Sequence, residues 1–409
     1  MKILIYSYNY WPEPIGIAPL MTDLAEGLAQ RGHEVRVVTA VPWYPESKIN
    51  PEYQGKLYCT EHRNGVKIQR CYVRASTKRN LRNRALFELS FIFFSFFQAL
   101  WGKRPDVLIL TVPGLPVGIP AGILGFLYRC PVILNLQDIL PDAAVHVGLL
   151  TNQKAIRIFE GLEKFNYGIA TKISVIAEGF KDNLLGKGVA EEKIAMIPNW
   201  VDVNFIKPLS RENNYFRAEN QLEGKFVVLY SGNIALTQGL ETVIDAATHL
   251  QDIPEIAITI VGEKKALNRL QKYCQERGAN NVRLIPFQPR EKLPEMLSAA
   301  DIGLVIQKKN VIAFNMPSKI QVLLSSGRAI IASVPASGTA AKAIRASEGG
   351  IVVPPEDPKA LAVAIRELYE DPERVKVLGQ NSRKHAIENY AFDAALDRYE
   401  DLFDKLVKR

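Results

Sequence analysis

Residues 226–250 read FVVLYSGNIALTQGLETVIDAATHL: an apolar strand, a glycine-bearing turn at Ser231 to Gly239, and a stretch with helical spacing through Leu240 to Leu250. A strand covered on both faces is almost continuously apolar. Its passage through a glycine turn into a 3.6-residue periodicity is the βα unit of a parallel sheet. The unit recurs downstream, where AITIVG, NVRLIPF, DIGLVI, AIIAS and GIVV supply further apolar runs. Upstream it appears in KILIYSY, a helix from about Ala18 to Arg31, EVRVVTA, DVLIL, PVILNL and KISVI. Gly32 follows that helix where a C-terminus calls for glycine. The fold class is therefore α/β, with two Rossmann-like halves on parallel sheets joined near IPNWVDVNFIKP. We place the halves at 1–205 and 206–387; the chain from about Asp371 onward is helical and charged.

With 409 residues, 47% hydrophobic and 23% charged, the chain can fill two separate cores. Cys59, Cys71, Cys130 and Cys274 show no paired spacing and the five histidines are scattered, so we expect neither a disulfide framework nor a metal. The start, Met1-Lys2 followed by Ile3 to Ile5, reads as a strand and not a signal peptide, and a cytoplasmic location is expected. Val107 to Tyr128 carries no charge over a length that could span a bilayer. Pro113, Gly114 and Pro116 interrupt it, so it reads as a strand, a turn and a helix from about Val117.

The net charge of +8 suits nucleic acid, anionic lipid or phosphorylated substrates. No nucleic-acid module or aromatic-lined basic groove is present, and no nucleic acid is expected. Lys78, Arg79, Arg82, Arg84, Lys103 and Arg104 bracket Leu86 to Trp101, a phenylalanine-dense segment with one acidic residue. Peripheral membrane proteins use such helices in the headgroup region, which would give Arg82, Arg84, Phe91, Phe94 and Trp101 a membrane or acceptor side. The alternative is a helix buried over a parallel sheet.

No G-x-G-x-x-G follows a strand, and P-loop, zincin and nucleophile-elbow motifs are missing, which removes the commonest dehydrogenase, NTPase and hydrolase readings. Ligands of open α/β sheets sit beyond the carboxyl ends of the strands. Gly16 lies there, just before the first helix, where backbone can approach an anion beside free N–H groups. Gly232 and Asn233 hold the equivalent place in the second half. Each glycine also serves the shape of a strand-to-helix turn. In NMPSKIQVLLSSGRAIIAS, Lys319 opens a helix, where the dipole disfavours a cation. A phosphate between the two would resolve that conflict; an exposed, unpaired lysine is the plainer reading. Asp138 ends PVILNLQD and can act as a base, a hydroxyl orienter or a cap. His146, a few residues on, is either a cleft residue or packed, and packing is the preferred reading.

These segments together resemble family 4 of the retaining glycosyltransferases, whose GT-B fold sets two Rossmann-like domains face to face about a deep cleft. The likeness rests on YNYWPEPIGIAPLMTDLAEGLAQRGHEVRVVTAVPWYP, LQDILPDAAVHVG, IPNWVD, LYSGNIALTQGLETVIDAA, and MPSKIQVLLSSGRAIIAS with GGIVVPPEDP. It is strongest to the subgroup that includes colanic acid and exopolysaccharide biosynthesis enzymes. The resemblance implies transfer from a UDP- or GDP-sugar to a lipid-linked or oligosaccharide acceptor at the inner membrane face, without cofactor or metal. It implies a donor site at Gly232, Asn233, Gln238, Gly262, Phe287, Pro317, Ser318 and Lys319, with Gly16 closing it. Lys319 and Asp138 would be catalytic, and a C-terminal helix at about 388–409 would cross back to the first domain. The family's usual glutamate pair would fall at Phe314 and Val322, and its usual cationic pair at Asn233 and Gln238. A sugar-nucleotide 2-epimerase of the same fold, or a binding partner with a degenerate site, are the rival readings.

Overall fold

In a computed structural model the chain is described from residue 1 to 407, except positions 15, 45, 79–80, 113, 147, 149 and 236. Arg79 and Pro113, named above, lie outside the described residues. The chain forms two compact units, one of Met1–Ile176, Phe180–Asn199 and the stretch from Leu396, the other of Ala177–Gly179 and Trp200–Ala395.

In chain order the first elements are β1 (Lys2–Tyr6), α1 (Ala18–Gln30), β2 (Glu34–Ala40), β3 (Tyr58–Arg63), β4 (Val66–Cys71), α2 (Leu81–Leu100) and β5 (Val107–Val112). There follow α3 (Gly118–Tyr128), β6 (Val132–Leu136), α4 (Asp142–His146), α5 (Gln153–Ile169), β7 (Lys172–Val175), α6 (Glu178–Gly186) and β8 (Ile194–Met196). Their sheet runs β3-β4-β2-β1-β5-β6-β7-β8. Its inner strands are buried end to end, as in β6, because helices cover both faces. The stretch Val107 to Tyr128 divides into β5, a short turn and α3, and no helix among the described residues is long and apolar enough to cross a membrane.

The sheet is parallel as expected except at one edge, where β3 pairs antiparallel with β4. Asn64 and Gly65 join them at φ 45° and 82°, the two positive angles that a tight hairpin turn demands.

The second set comprises α7 (Tyr215–Glu219), β9 (Phe226–Ser231), α8 (Glu241–Thr248), β10 (Ile256–Gly262), α9 (Lys264–Arg277), β11 (Val282–Pro286), α10 (Leu293–Ser298) and β12 (Ile302–Ile306). It continues with α11 (Lys319–Ser325), β13 (Ala329–Ser333), α12 (Thr339–Ser347), β14 (Gly350–Val353), α13 (Pro358–Glu370), α14 (Pro372–Tyr390) and α15 (Phe392–Val407). Its strands are parallel in the order β11-β10-β9-β12-β13-β14. Alternate residues feed two cores: Val228, Tyr230, Ile258 and Leu304 on one face, Val227, Leu229, Val261 and Val305 on the other. The order reverses between β9 and β12, so the loops leaving these strands diverge and open a crevice at their carboxyl ends.

The chain passes between units at Asn199 and Trp200, ahead of the expected 205/206, because Val201 already pairs within the second unit. Its N–H donates to the Tyr390 carbonyl at 2.8 Å, and Arg383 donates to the Val203 and Ile206 carbonyls. The return falls at Leu396, inside α15 and later than 388. From there Leu396, Tyr399 and Phe403 are buried, while Arg31 donates to Asp397 and Glu400, each at 2.6 Å.

Candidate functional site

Apart from Gly16, which belongs to the first unit, the residues expected at the donor side lie in the second unit, in the loops that follow its strands. Directly after β9, Gly232 adopts φ 137° and donates its N–H to the Val261 carbonyl at 3.1 Å. A Cβ there would sit 3.3 Å from Lys319 Nζ and 3.4 Å from its Cε. Glycine thus answers two demands at once, a backbone angle closed to other residues and room for the lysine.

Lys319 is the first residue of α11, entered through Pro317 and Ser318, and Ser318 makes no side-chain cap bond. The Lys319 ammonium nitrogen is buried, has no hydrogen-bond partner among the described residues, and lies 3.5 Å from the centroid of the Tyr230 ring. Burial pushes its pKa down to about 7. It is therefore not the exposed lysine of the plainer reading. The ring attracts the cation but accepts no conventional hydrogen bond, so three N–H donors remain to be satisfied. Tyr230 is itself held by donating its hydroxyl to the Asn233 carbonyl at 2.7 Å.

The remaining expected residues lie in the loops next to Gly232 and Lys319 or hold those loops together. Gln238 Oε1 accepts from Ala235 N at 2.7 Å, so its oxygen pins the glycine loop. Lys308 N donates to the Thr237 carbonyl at 2.9 Å, tying the loop after β12 to the loop after β9. Gly262 closes β10 at a position where a Cβ would lie 2.3 Å from Ile234 Cδ1, so any larger residue would have to displace that side chain of the glycine loop. Phe287 follows β11, donates its N–H to the Gly262 carbonyl at 3.0 Å, and is 52% exposed, which leaves an aromatic face free. At the usual glutamate positions Phe314 is buried and Val322 is half-buried against the core.

In the first unit, Gly16 sits at φ 72° ahead of α1, whose N-cap residue Ile17 makes no side-chain bond and whose first turn carries no acid. The N–H groups there are thus uncapped by side chains. Asp138 is half-buried; its Oδ1 accepts from Ile139 N at 2.9 Å, and burial raises its pKa despite that bond. His146, expected to be packed, is exposed at the end of α4.

Sequence reasoning overlooked Glu13. Its buried carboxylate accepts from Trp43 N and Tyr44 N at 3.0 and 2.8 Å and from Asn9 Nδ2 at 2.6 Å, fastening the loop after β1 to that after β2. The Pro-Glu-Pro run directly after a strand was the available signal. Tyr230 was likewise missed, because an aromatic inside a strand reads as core.

Two of the expected membrane-side residues need correction. Phe91 is fully buried, 4.4 Å from Tyr8 and 5.8 Å from Tyr6 between ring centroids, and Phe94 is half-buried between Tyr58 and Tyr72. They fill the inner face of α2. Arg82 is exposed, Arg84 pairs with Glu88 at 2.5 Å, and Trp101 is 64% exposed. The outer face instead presents Leu89, Phe93 and Phe97, and α3, which contacts α2, exposes Ile123 and Phe126. Among the described residues no group of three or more His, Cys, Asp or Glu could hold a metal ion.

The geometry defines a class that comparison identifies. Residues 16–200 match the model for the glycosyl transferase 4-like domain, and residues 212–385 match that for glycosyl transferases group 1. The chain belongs to this glycosyltransferase family, and its architecture is GT-B. It is 32% identical to the putative colanic acid biosynthesis glycosyl transferase WcaI of Escherichia coli K12, covering 90% of this chain and 92% of that protein. It is 21% identical to the O-antigen chain mannosyltransferase C of Escherichia coli over 100% and 99% of the two chains. Among solved structures, sucrose-phosphate synthase of Thermosynechococcus elongatus aligns with a TM-score of 0.72 at 19% identity, covering 100% and 99%. Anabaena HepE, solved in complex with UDP, aligns at 0.73 with 16% identity over 99% and 100%.

Proposed function

We propose that this enzyme takes a hexosyl or deoxyhexosyl group from a UDP- or GDP-sugar and places it, with retained configuration, on a lipid-linked saccharide during exopolysaccharide or cell-surface glycan synthesis. The observation that carries the reading is the buried, hydrogen-bond-free Lys319 ammonium beside Gly232 at the reversal point of the second sheet. In transfer, the bond from the anomeric carbon to the diphosphate breaks and a bond to the acceptor oxygen forms on the same face. The acceptor proton passes to the departing phosphate oxygen. The step needs stabilisation of developing negative charge, which Lys319 supplies from a water-poor site without a metal. Phe287 offers its face to the base, and Asp138 orients the acceptor hydroxyl. Relatives named for colanic acid and O-antigen synthesis, and HepE solved with UDP, support the substrate class.

The testing experiment is calorimetric titration with UDP, GDP and their sugars, with and without EDTA, followed by product analysis with and without acceptor. Saturable, EDTA-insensitive binding of one nucleotide is expected, with sugar consumed only when acceptor is present. Binding of neither nucleotide would overturn the reading, and conversion of the donor sugar without acceptor would point to epimerisation.

We further propose that the first unit works at the inner face of the plasma membrane. Supporting this, Phe93, Phe97 and Trp101 at α2 and Ile123 and Phe126 of α3, two helices in contact, are all exposed, as are Arg82, Arg104 and Arg129.

A further inference from the structure

A cavity of about 960 Å³ opens in the second unit at the amino-terminal ends of β12 and β13, the opposite end of the sheet from Gly232 and Lys319. The segment Pro208–Glu212, the turn Gly327–Arg328 and one side of α14 line it. Arg211, Arg328 and Arg383 reach its wall, and Arg217 stands behind Asp301. Among the described residues the buried carboxylate of Asp301 pairs with two of these four guanidinium groups. Asp301 Oδ1 pairs with Arg211, and its Oδ2 accepts from Arg217 Nη2 and from Val227 N, both at 2.8 Å.

Arg328 and Arg383 bind carbonyls instead of carboxylates. Arg328 donates to Ala300 and Ser326 at 3.0 and 3.2 Å, and Arg383 to Val203, Ile206 and Ser325 at 2.9 to 3.0 Å. Carbonyl oxygens satisfy the N–H groups and leave the charge in place. Burial, with repulsion from Arg211 and Arg217 added, pushes Arg328 down to about 10.

Closure of helix ends explains part of this cluster. Arg217, Arg328 and Arg383 bind the terminal carbonyls around α10 and α11, where a cation opposes the dipole. That role does not extend to Arg211, which is 46% exposed, or to Lys384, which lines the cavity and makes no ion pair among the described residues. On the rim Glu373 lies 3.8 Å from Lys376, while Glu212 and Glu388 also line the opening. Cations still outnumber carboxylates around the space. A concave site with excess buried guanidinium charge attracts multiply charged anions, and arginine matches phosphate oxygens in a fork geometry.

We propose that this cavity binds a small phosphorylated metabolite carrying at least two negative charges, with Arg211 and Lys384 as its direct ligands. The site is separate from the donor pocket and does not depend on the transferase reading.

The test is calorimetry of the full chain with inorganic pyrophosphate at low salt. In the Lys319→Ala protein, pyrophosphate binding at the cavity is expected to survive. In an Arg211→Ser/Lys384→Ser protein, that site is expected to weaken at least tenfold while UDP titrates as in the wild type. Equal pyrophosphate isotherms for wild type and the double variant would overturn the proposal. If the double variant no longer binds UDP, Lys384→Met alone decides, since this exposed position on α14 can change without unfolding the protein: a weakened isotherm supports the site and an unchanged one removes it. Failure of the wild type to bind UDP would sink the donor reading alone and leave this comparison intact.

Discussion

At the scale of the residue, the second unit turns on Lys319. An unsatisfied buried donor costs roughly 1–3 kcal/mol and more when it is charged, and a desolvated cation over an aromatic face recovers about 2 kcal/mol, so in the free protein the balance lies against this ammonium. A diphosphate tips that balance strongly. Lys319→Ala is expected to lower kcat by about 10²- to 10³-fold, the range for losing one preorganised donor. Lys319→Arg should not restore it, since a planar guanidinium does not reproduce a compact ammonium held 3.5 Å from the Tyr230 ring centroid. The pKa near 7 adds a signature in pH. Between about pH 7 and the ordinary lysine value of 10.5, the unfolded chain holds this proton and the folded chain does not. Stability of the ligand-free protein therefore gains from this group as pH rises through that interval, and the penalty is complete below pH 7. A phosphate reverses the preference, so UDP binding at pH 8 should take up a proton. Calorimetry in two buffers of different ionisation enthalpy reads it, and Lys319→Met should abolish the uptake. Gly232→Ala places a methyl 3.3 Å from the same nitrogen at φ 137°, and should weaken UDP binding at least tenfold.

At the scale of the element, α2 shows what a linear pattern conveys and what it withholds. Its basic flanks and aromatic density were legible, and so were the βα units, because continuous apolar runs and 3.6-residue spacing are local properties. Which phenylalanines face outward was not legible. The helix is apolar almost all round, so periodicity does not orient it; the orientation comes from Tyr6 and Tyr8 on β1, distant in sequence from Phe91. The β3–β4 hairpin, by contrast, had a readable signal in Asn64-Gly65, obscured because β3 is largely half-exposed and polar, without the continuous apolar run of the other strands. The glycines and Lys319 were visible as motifs, whereas the Tyr230 platform and the Glu13 clasp depend on contacts between loops. The two faces of α2 should separate experimentally. Phe91→Ala should cost about 3–5 kcal/mol in urea unfolding, as large aromatic deletions do in a closed core. Phe93→Ser with Phe126→Ser should leave the unfolding midpoint unchanged and reduce flotation with anionic liposomes. Equal flotation would remove the membrane reading of this face.

At the scale of the whole molecule, the chain's order in sequence and its order in space part company at the C-terminus. The first unit is assembled largely from the first 199 residues, yet it also takes in the segment from Leu396. That segment is amphipathic along α15: Leu396, Tyr399, Leu402 and Phe403 are buried, while Asp397 and Glu400 meet Arg31, and Glu400 also meets His33 at 2.8 Å. The exposed ion pairs orient the helix and add little stability, since partly solvated pairs contribute about 0–1 kcal/mol. The apolar side chains supply the binding, at about 1.5–3 kcal/mol for each one fully buried. Tyr399 and Phe403 alone thus account for a loss of several kcal/mol against a typical total of about 5–15 kcal/mol for a domain. A chain ending at Ala395 should therefore lose protection of the β1, β5 and β6 amides in hydrogen exchange. The second unit keeps both faces of its own sheet covered without that segment, and its glycine loops and Lys319 are held by contacts internal to it. UDP should still titrate onto the shortened chain with an affinity within a few-fold of the full-length value. Loss of UDP binding together with the first unit would mean that the donor pocket requires residues beyond β9–β14 and α11.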